Sequence, residues 1–463
     1  MKSFWGVVNT SYKNGLSTLI TVLFILSFSG IAFAASSSGP NSPSTAVNDS
    51  SVGTAAWTSP ENVVSSNNVY VTVSVDGTTS YYIKATNFGF SIPSDAIIKG
   101  IVVEIERKSS STASGGSKDA AVRIVKGGTI GSTDKSTSTN YTTADVVESH
   151  GGSSDLWGET WTASDINSAN FGTAVAVTKP SATGAAQTVS VDHINITVFY
   201  NLPPSADAQS VSTDEDTAKP ITLTGSDSDG TIASCSIVSS PSNGVLSGTS
   251  CARTYTPNTD YNGPDSFTFT VTDNEGATSS SATVSITVNA VNDPPVATDD
   301  TSSTNEDTQV IIPFSTLLSN DNDVDSDPLT ITAVGSFVGG SAVISGTDIT
   351  FTPNANFNGA ASFDYTVSDG NGGTDTGTVA VTINPVNDAP TVTVTSPNGG
   401  EAWSGTQTIT WSASDVDGDT LTITIQKSSD SGTNFLDIAT GETNDGSFSW
   451  DTTTTDDGAS CSE

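Results

Sequence analysis

Basic residues are scarce in this chain: 14 Lys and Arg stand against 50 Asp and Glu, a formal net charge of −36 over 463 residues. Such a surface repels nucleic acid and anionic lipid and attracts divalent cations, so nucleic acid is excluded as a partner. Histidine is nearly missing, with only His150 and His193, and no three or four ligands cluster at the spacing a zinc centre needs. No Gly-rich phosphate loop follows a strand and opens a helix. Helical periodicity is lacking after the N-terminal segment, and no apolar run beyond Phe33 is long enough to cross a bilayer.

The N-terminal segment reads as a processing signal. Lys2 and Lys13 precede an apolar run from Leu16 to Phe33, and Ala32-Phe33-Ala34 supplies the small-x-small pattern of a signal peptidase site. Residues 1–34 are therefore expected to be removed on export, leaving an extracellular or cell-surface protein. There are only three cysteines. Cys235 and Cys251 flank the turn signal Pro241-Ser242-Asn243-Gly244, and a hairpin through it would pair them as a disulfide in an oxidising compartment. Two buried free thiols are the plainer alternative.

Charge divides the chain. Nine of the 14 basic residues lie between Asn41 and Tyr200, and only three lie beyond. The break falls on Asn201-Leu202-Pro203-Pro204, a linker by chemistry because Pro cannot donate to a sheet. Two repeats follow. Pro203-Pro204 returns as Pro294-Pro295, and Tyr255-Thr-Pro-Asn-Thr-Asp-Tyr-Asn-Gly263 returns as Phe351-Thr-Pro-Asn-Ala-Asn-Phe-Asn-Gly359. Each copy closes on Val-Asn-Asp, at Asp293 and Asp388. The expected units are 41–200, 203–293, 294–388 and 389–463.

Within the repeats Phe267, Phe269 and Val271 alternate with polar residues, as do Phe363, Tyr365 and Val367. Period-two alternation with β-branched and aromatic residues predicts strands buried on one face. Short strands in units of this length predict an all-β chain of tandem β-sandwich domains.

On these motifs, with Glu-Asp-Thr near the start of each unit and an Asp-x-x-Gly turn, residues 204–388 resemble the cadherin-like tandem repeats of secreted bacterial adhesins. Residues from Ser396-Pro-Asn-Gly-Gly-Glu-Ala-Trp403 resemble an immunoglobulin-like module that is partial, because Asp457-Gly458 is followed by no further apolar strand. The segment is accordingly expected to be the end of a truncated product. Phe88-Gly-Phe-Ser-Ile-Pro93 and Asp155-Leu-Trp-Gly-Glu-Thr-Trp161 give block 41–200 a looser resemblance to a secreted jelly-roll β-sandwich domain. These resemblances imply display and adhesion rather than a reaction.

The cadherin resemblance further implies calcium at the joints. Its ligands here would come from Glu215, Asp216, Asn292, Asp293, Asp321, Asp323, Asp325 and Asp369. Calcium takes six to eight oxygen ligands, and four carboxylates from Asp321 to Asp327 repel one another unless neutralised. The plainer reading is that aspartates end strands, form Asx-turns and solvate the surface. No catalytic residues are expected. Asp192-His193 falls where strand alternation changes phase, which reads as a bulge rather than part of a triad. Trp57, Tyr81, Tyr82, Trp157 and Trp161 form either a sugar-stacking surface or core packing. Two readings follow: a non-catalytic surface adhesion protein whose ligand is a polysaccharide or another surface protein, or the accessory carbohydrate-binding and spacer region of a secreted hydrolase.

Overall fold

The computed structural model describes residues 36–112, 115–428 and 431–453. Residues 1–34, expected from the sequence to be a processing signal, and the tail with Cys461 lie outside the described residues. Nearly every element is a strand, and the helices among the described residues are single turns, the α-helices Ala163–Ile166 and Phe314–Leu317 and the 3-10 helix Pro60–Val63. The chain divides into two compact units, 1–289 and 290–463.

In the first unit, residues 36–201 form two five-stranded sheets. The long strand Gln187–Asn201 pairs along Ile97–Ser109, with Val191 opposite Arg107 and His193 opposite Glu106. Two residues therefore span one step, a bulge at Asp192, as the change of phase requires. Between the sheets lies a large apolar core that includes Val103, Ile105, Phe171, Ile194 and Ile196. Trp57, Tyr82 and Trp157 are buried, and Tyr81 and Trp161 are half-buried against the core. The indole N–H groups of Trp57, Trp157 and Trp161 donate to the backbone oxygens of Tyr81, Ile101 and Leu156 at 2.8–2.9 Å. Of the two readings of these aromatics, packing is the one the structure supports.

Buried polar groups interrupt this core. Arg107, buried, forms an ion pair with buried Asp119 and reaches Glu148 at 2.6 Å. Tyr141 donates to Asp119 at 2.6 Å, and His150, also buried, sits 3.4 Å from the guanidinium. A buried charge survives only when paired and hydrogen-bonded, and each of these is.

Residues 205–289 form the first repeat. Its four-stranded sheet runs in the order Gln209–Asp214, Ala282–Asn289, Gly263–Asp273, Ile232–Ser239, and its three-stranded sheet in the order Lys219–Thr222, Ala252–Pro257, Gly244–Thr249. The second unit opens with the same 4 + 3 arrangement. Asp300–Asn305, Thr374–Asn384, Gly359–Ser368 and Thr330–Val338 oppose Val310–Pro313, Asp348–Pro353 and Gly340–Ser345. The alternating residues Phe267, Phe269, Val271, Phe363, Tyr365 and Val367 are all fully buried. Gly244 and Gly340 recur for a packing reason: a Cβ there would sit 2.4 Å and 2.5 Å from the rings of Tyr255 and Phe351. The bare backbone lets each ring lie across the neighbouring strand.

Cys235 and Cys251 are joined by a disulfide with Cα atoms 4.9 Å apart. The expected hairpin does not carry it. Ile232–Ser239 pairs with Gly263–Asp273, whereas Gly244–Thr249 pairs with Ala252–Pro257. The bond thus ties one sheet of the repeat to the other.

The remaining described residues of the second unit form a three-stranded sheet, Thr391–Ser396, Thr406–Ser414 and Ser447–Asp451, and the two-stranded pair Thr422–Lys427 and Leu436–Thr443. Among the described residues of this module only Ile409, Trp411 and Ile425 are buried apolar ones. An apolar cleft of about 580 Å³ lies open among Val392, Trp403, Trp411, Phe435 and Trp450. So thin a core opens at low free energy. Limited subtilisin digestion is expected to trim the chain back towards Pro390 well before residues 204–388 are cut. Survival of residues 391–451 alongside the repeats would contradict this ordering.

Candidate cation sites

Strand direction decides which carboxylates gather. In each repeat the first strand of the larger sheet pairs parallel to the last, Asp214 opposite Asn289 and Asn305 opposite Asn384. The residue after that first strand therefore lies beside the point where the chain leaves the unit. The Glu215 N–H donates to Asn289 O, and the Glu306 N–H to Asn384 O, both at 3.0 Å. Both glutamates are buried. Glu306 Oε1 accepts the N–H of Val386 at 2.6 Å, which holds the carboxylate against the departing backbone.

The eight candidate ligands divide between the two units. Glu215 and Asp216 belong to the first, while Asn292, Asp293, Asp321, Asp323, Asp325 and Asp369 belong to the second. In the second unit Asp323, Asp325 and Asp327 each offer a carboxylate oxygen within 4.8 Å of the others. The loop is held tight by the Asp327 N–H donating to Asp323 Oδ1 at 3.2 Å and by Ser326 at φ 65°. Asp325 Oδ2 accepts the backbone N–H of Asp293 at 2.8 Å. Asp369 takes the N–H groups of Asn371, Gly372 and Gly373 at 2.8–3.0 Å and the Asn292 amide at 2.7 Å. Asp323 is buried, and its Oδ2 has no hydrogen-bond partner.

Asp321 is not brought into this group. Its carboxylate accepts from the Thr298 N–H at 2.7 Å and from the Tyr365 hydroxyl at 3.3 Å. Asp327, which the sequence reading left out of the ligand set, takes its place.

A second gathering was missed altogether: Glu306, Asp388 and Asp417 also meet within 4.8 Å. Asp417 Oδ2 accepts the Asp388 N–H at 2.6 Å, repeating the Asp325–Asp293 contact. The signal was available. Glu306 lies 91 residues after Glu215, and Asp415-Val-Asp417 repeats Asp323-Val-Asp325.

These carboxylates titrate in opposite directions. Burial, then the charges of Asp417, Asp307, Glu306 and Asp415, raises Asp388 above the ordinary range. Burial raises Asp321 as well, with Asp300 and Asp375 adding to it against hydrogen bonds from Thr298 and Tyr365. Asp369 is lowered, first by the Asn292 amide and then by its backbone donors. A raised group stabilises the fold below its unfolded pKa and loses that contribution as pH rises through the folded value. A lowered group contributes above the unfolded pKa and loses it as pH falls through the folded value. In chelator the melting temperature is therefore expected to rise as pH falls from 7 through the raised carboxylates, and to fall again once pH drops below the ordinary carboxylate range of about 4. A chelated protein most stable at pH 7 would contradict this.

The histidines occupy different settings. His150 belongs to the buried Arg107 network. His193 Nε2 lies 2.7 Å from Ser42 Oγ, a pair 151 residues apart that the sequence could not show. Burial lowers the His193 pKa.

Paired sheets with an early strand running parallel beside a late one define a β-sandwich of the cadherin and immunoglobulin class. Within it, residues 291–384 match the family described as the cadherin-like domain, and residues 201–287 match the bacterial Ig domain. No curated protein sequence matches the chain. Among solved structures it is similar to the human Desmocollin-1 ectodomain at 14% identity, covering 57% of this chain and 60% of that one with a TM-score of 0.27. It is similar to the extracellular domains 1–5 of Protocadherin Gamma B2 at 18% identity, covering 54% and 57% with a TM-score of 0.28. The endo-fucoidan hydrolase MfFcnA4 of glycoside hydrolase family 107 matches at 19% identity over 46% of this chain and 36% of its own, with a TM-score of 0.19. The chain thus spans about a third of that hydrolase's length.

Proposed function

We propose that this chain is an extracellular, non-catalytic surface protein in which cadherin-like and immunoglobulin-like sandwiches act as adhesion and spacer units stiffened by calcium. The observation that carries the reading is the repeated convergence of carboxylates where one sandwich gives way to the next, clearest at Glu306, Asp388 and Asp417. All the donors there are oxygens, which suits a hard ion such as calcium rather than zinc or copper. Asp323, Asp325 and Asp327 would hold a second ion, with Asp293 and the Asn292 amide beside them. Bound there, calcium would neutralise carboxylates that otherwise repel and would fix the backbone of the linker. The ligand on the opposing surface would be a polysaccharide or another surface protein.

Equilibrium dialysis against radioactive calcium tests the reading. The full chain is expected to bind calcium with affinities in the range of extracellular modules, roughly 0.1–1 mM. Glu306→Gln with Asp417→Asn is expected to remove one ion, and Asp323→Asn with Asp325→Asn another. Unchanged stoichiometry in both variants would overturn the assignment.

A further inference from the structure

A strand at the end of a sheet presents unpaired N–H and C=O groups, and soluble proteins blunt such edges with charge, proline or a bulge. Each repeat has two main sheets, so the pair of repeats has eight edge strands. Gln209–Asp214 and Asp300–Asn305 each carry an aspartate at one end, Lys219–Thr222 a lysine and a proline, and Val310–Pro313 a proline. Ile232–Ser239 and Thr330–Val338 each slip register twice against their neighbours. Gly244–Thr249 has no charge of its own, but the Arg253 guanidinium donates to Gly248 O at 2.7 Å and sets a cation on that edge.

Gly340–Ser345 has none of these devices. It ends its sheet beside Asp348–Pro353 in unbroken register, and residues 329–347 contain neither proline nor a charged side chain. Ile349, which is buried, stands where the first repeat has Arg253. Val343 is 59% exposed and Ile344 38%. Across Thr350 from Val343 lies Ile311, also exposed, so the outer face beside the open edge is apolar too.

We propose that Gly340–Ser345 is an interface with a second copy of this chain, joined edge to edge and antiparallel about a two-fold axis. Charge selects the occupant. Beyond Tyr200 the chain carries three basic and 36 acidic residues, so two copies repel over most of that surface and meet with least repulsion where both are uncharged. Opposed residues must face the same side of the joined sheet, so the axis passes through a residue rather than between two. An axis at Val343 sets Val343 opposite its own copy and Ile344 opposite the copy's Ala342, both apolar cross-strand pairs. An axis at Ala342 would set Val343 opposite a serine. With one such edge in its repeats, the chain makes an isologous contact that closes at two molecules rather than running on as a fibre. The contact requires no ion and stands apart from the calcium reading.

Sedimentation equilibrium of the full chain in chelator tests this without involving the cation sites. At about 0.01–1 mM protein, the range in which weak complexes form, a monomer–dimer equilibrium is expected. Association should strengthen several-fold between about 0.03 M and about 0.3 M salt, because screening removes the repulsion between copies. Val343→Lys places like charges opposite each other and is expected to weaken association about tenfold or more. Ser247→Lys, at the corresponding position of the first repeat, is expected to leave it unchanged. A covalent readout gives a second measurement. With Cys461→Ser as background, Val343→Cys should form a disulfide-linked dimer on mild oxidation, because opposed residues of an antiparallel pair have Cα atoms about 4.5–5.5 Å apart. Ser247→Cys in the same background should not. A chain that stays monomeric at every salt concentration, or a dimer that the two lysine variants affect alike, would overturn the proposal.

Discussion

The protein is expected to melt about 10 °C or more higher in calcium than in chelator at equal ionic strength. A ligand at a hundred times its dissociation constant stabilises the folded state by about 2.7 kcal/mol. For a sandwich of this size each kilocalorie shifts the midpoint by roughly 4–8 °C. The effect belongs to the second unit first, because Asp323, Asp325 and Asp327 repel one another without an ion. Asp323→Asn with Asp325→Asn should act in both directions. It should raise the melting temperature in chelator, by removing the repulsion, and cancel most of the gain in calcium. Calorimetric traces that overlay in chelator and in calcium at about a hundred times the expected dissociation constants would exclude binding at either gathering.

Loss of the Cys235–Cys251 bond is expected to cost the first repeat about 3 kcal/mol, the figure for a closed loop of roughly 15 residues. That corresponds to roughly 15 °C in the repeat's own transition. The second repeat has no cysteine among residues 294–388 and serves as an internal control. Calorimetry under reducing conditions, or of Cys235→Ala with Cys251→Ala, should move one transition and leave the other in place. A uniform shift of both, or none, would show that the bond does not govern the first repeat's stability. Because the bond connects two sheets rather than closing a hairpin, its loss also frees the sheets to separate, and exchange in Phe267–Val271 should rise with it.

Alternation made much of the fold legible in advance. Phe267, Phe269 and Val271, like Phe363, Tyr365 and Val367, could satisfy period two only as strands with one buried face, and each is fully buried. The phase change at Asp192-His193 likewise demanded an extra residue, and the register slips there. Partner choice was not legible. Nothing local in Ile232–Ser239 says that it pairs with Gly263–Asp273 rather than with the strand after the next turn, so the disulfide's route was misread.

The cation sites show the same division. Spacing identified the acidic loops, but four aspartates at alternate positions from Asp321 to Asp327 look alike until Tyr365 and Thr298 claim Asp321. The gathering at Glu306 was readable by carrying the repeat one unit further.

The parallel edge of each repeat has a mechanical consequence. Gln209–Asp214 and Ala282–Asn289 lie side by side in the same direction, hydrogen-bonded across six residue pairs, as do Asp300–Asn305 and Thr374–Asn384. A pull applied through the two chain ends of a repeat loads this ladder along its length, in shear. The bonds must then yield together rather than one at a time from an end, as they would in an antiparallel hairpin opened like a zipper. Such a unit resists tension through a high barrier to rupture, even where its equilibrium stability is ordinary.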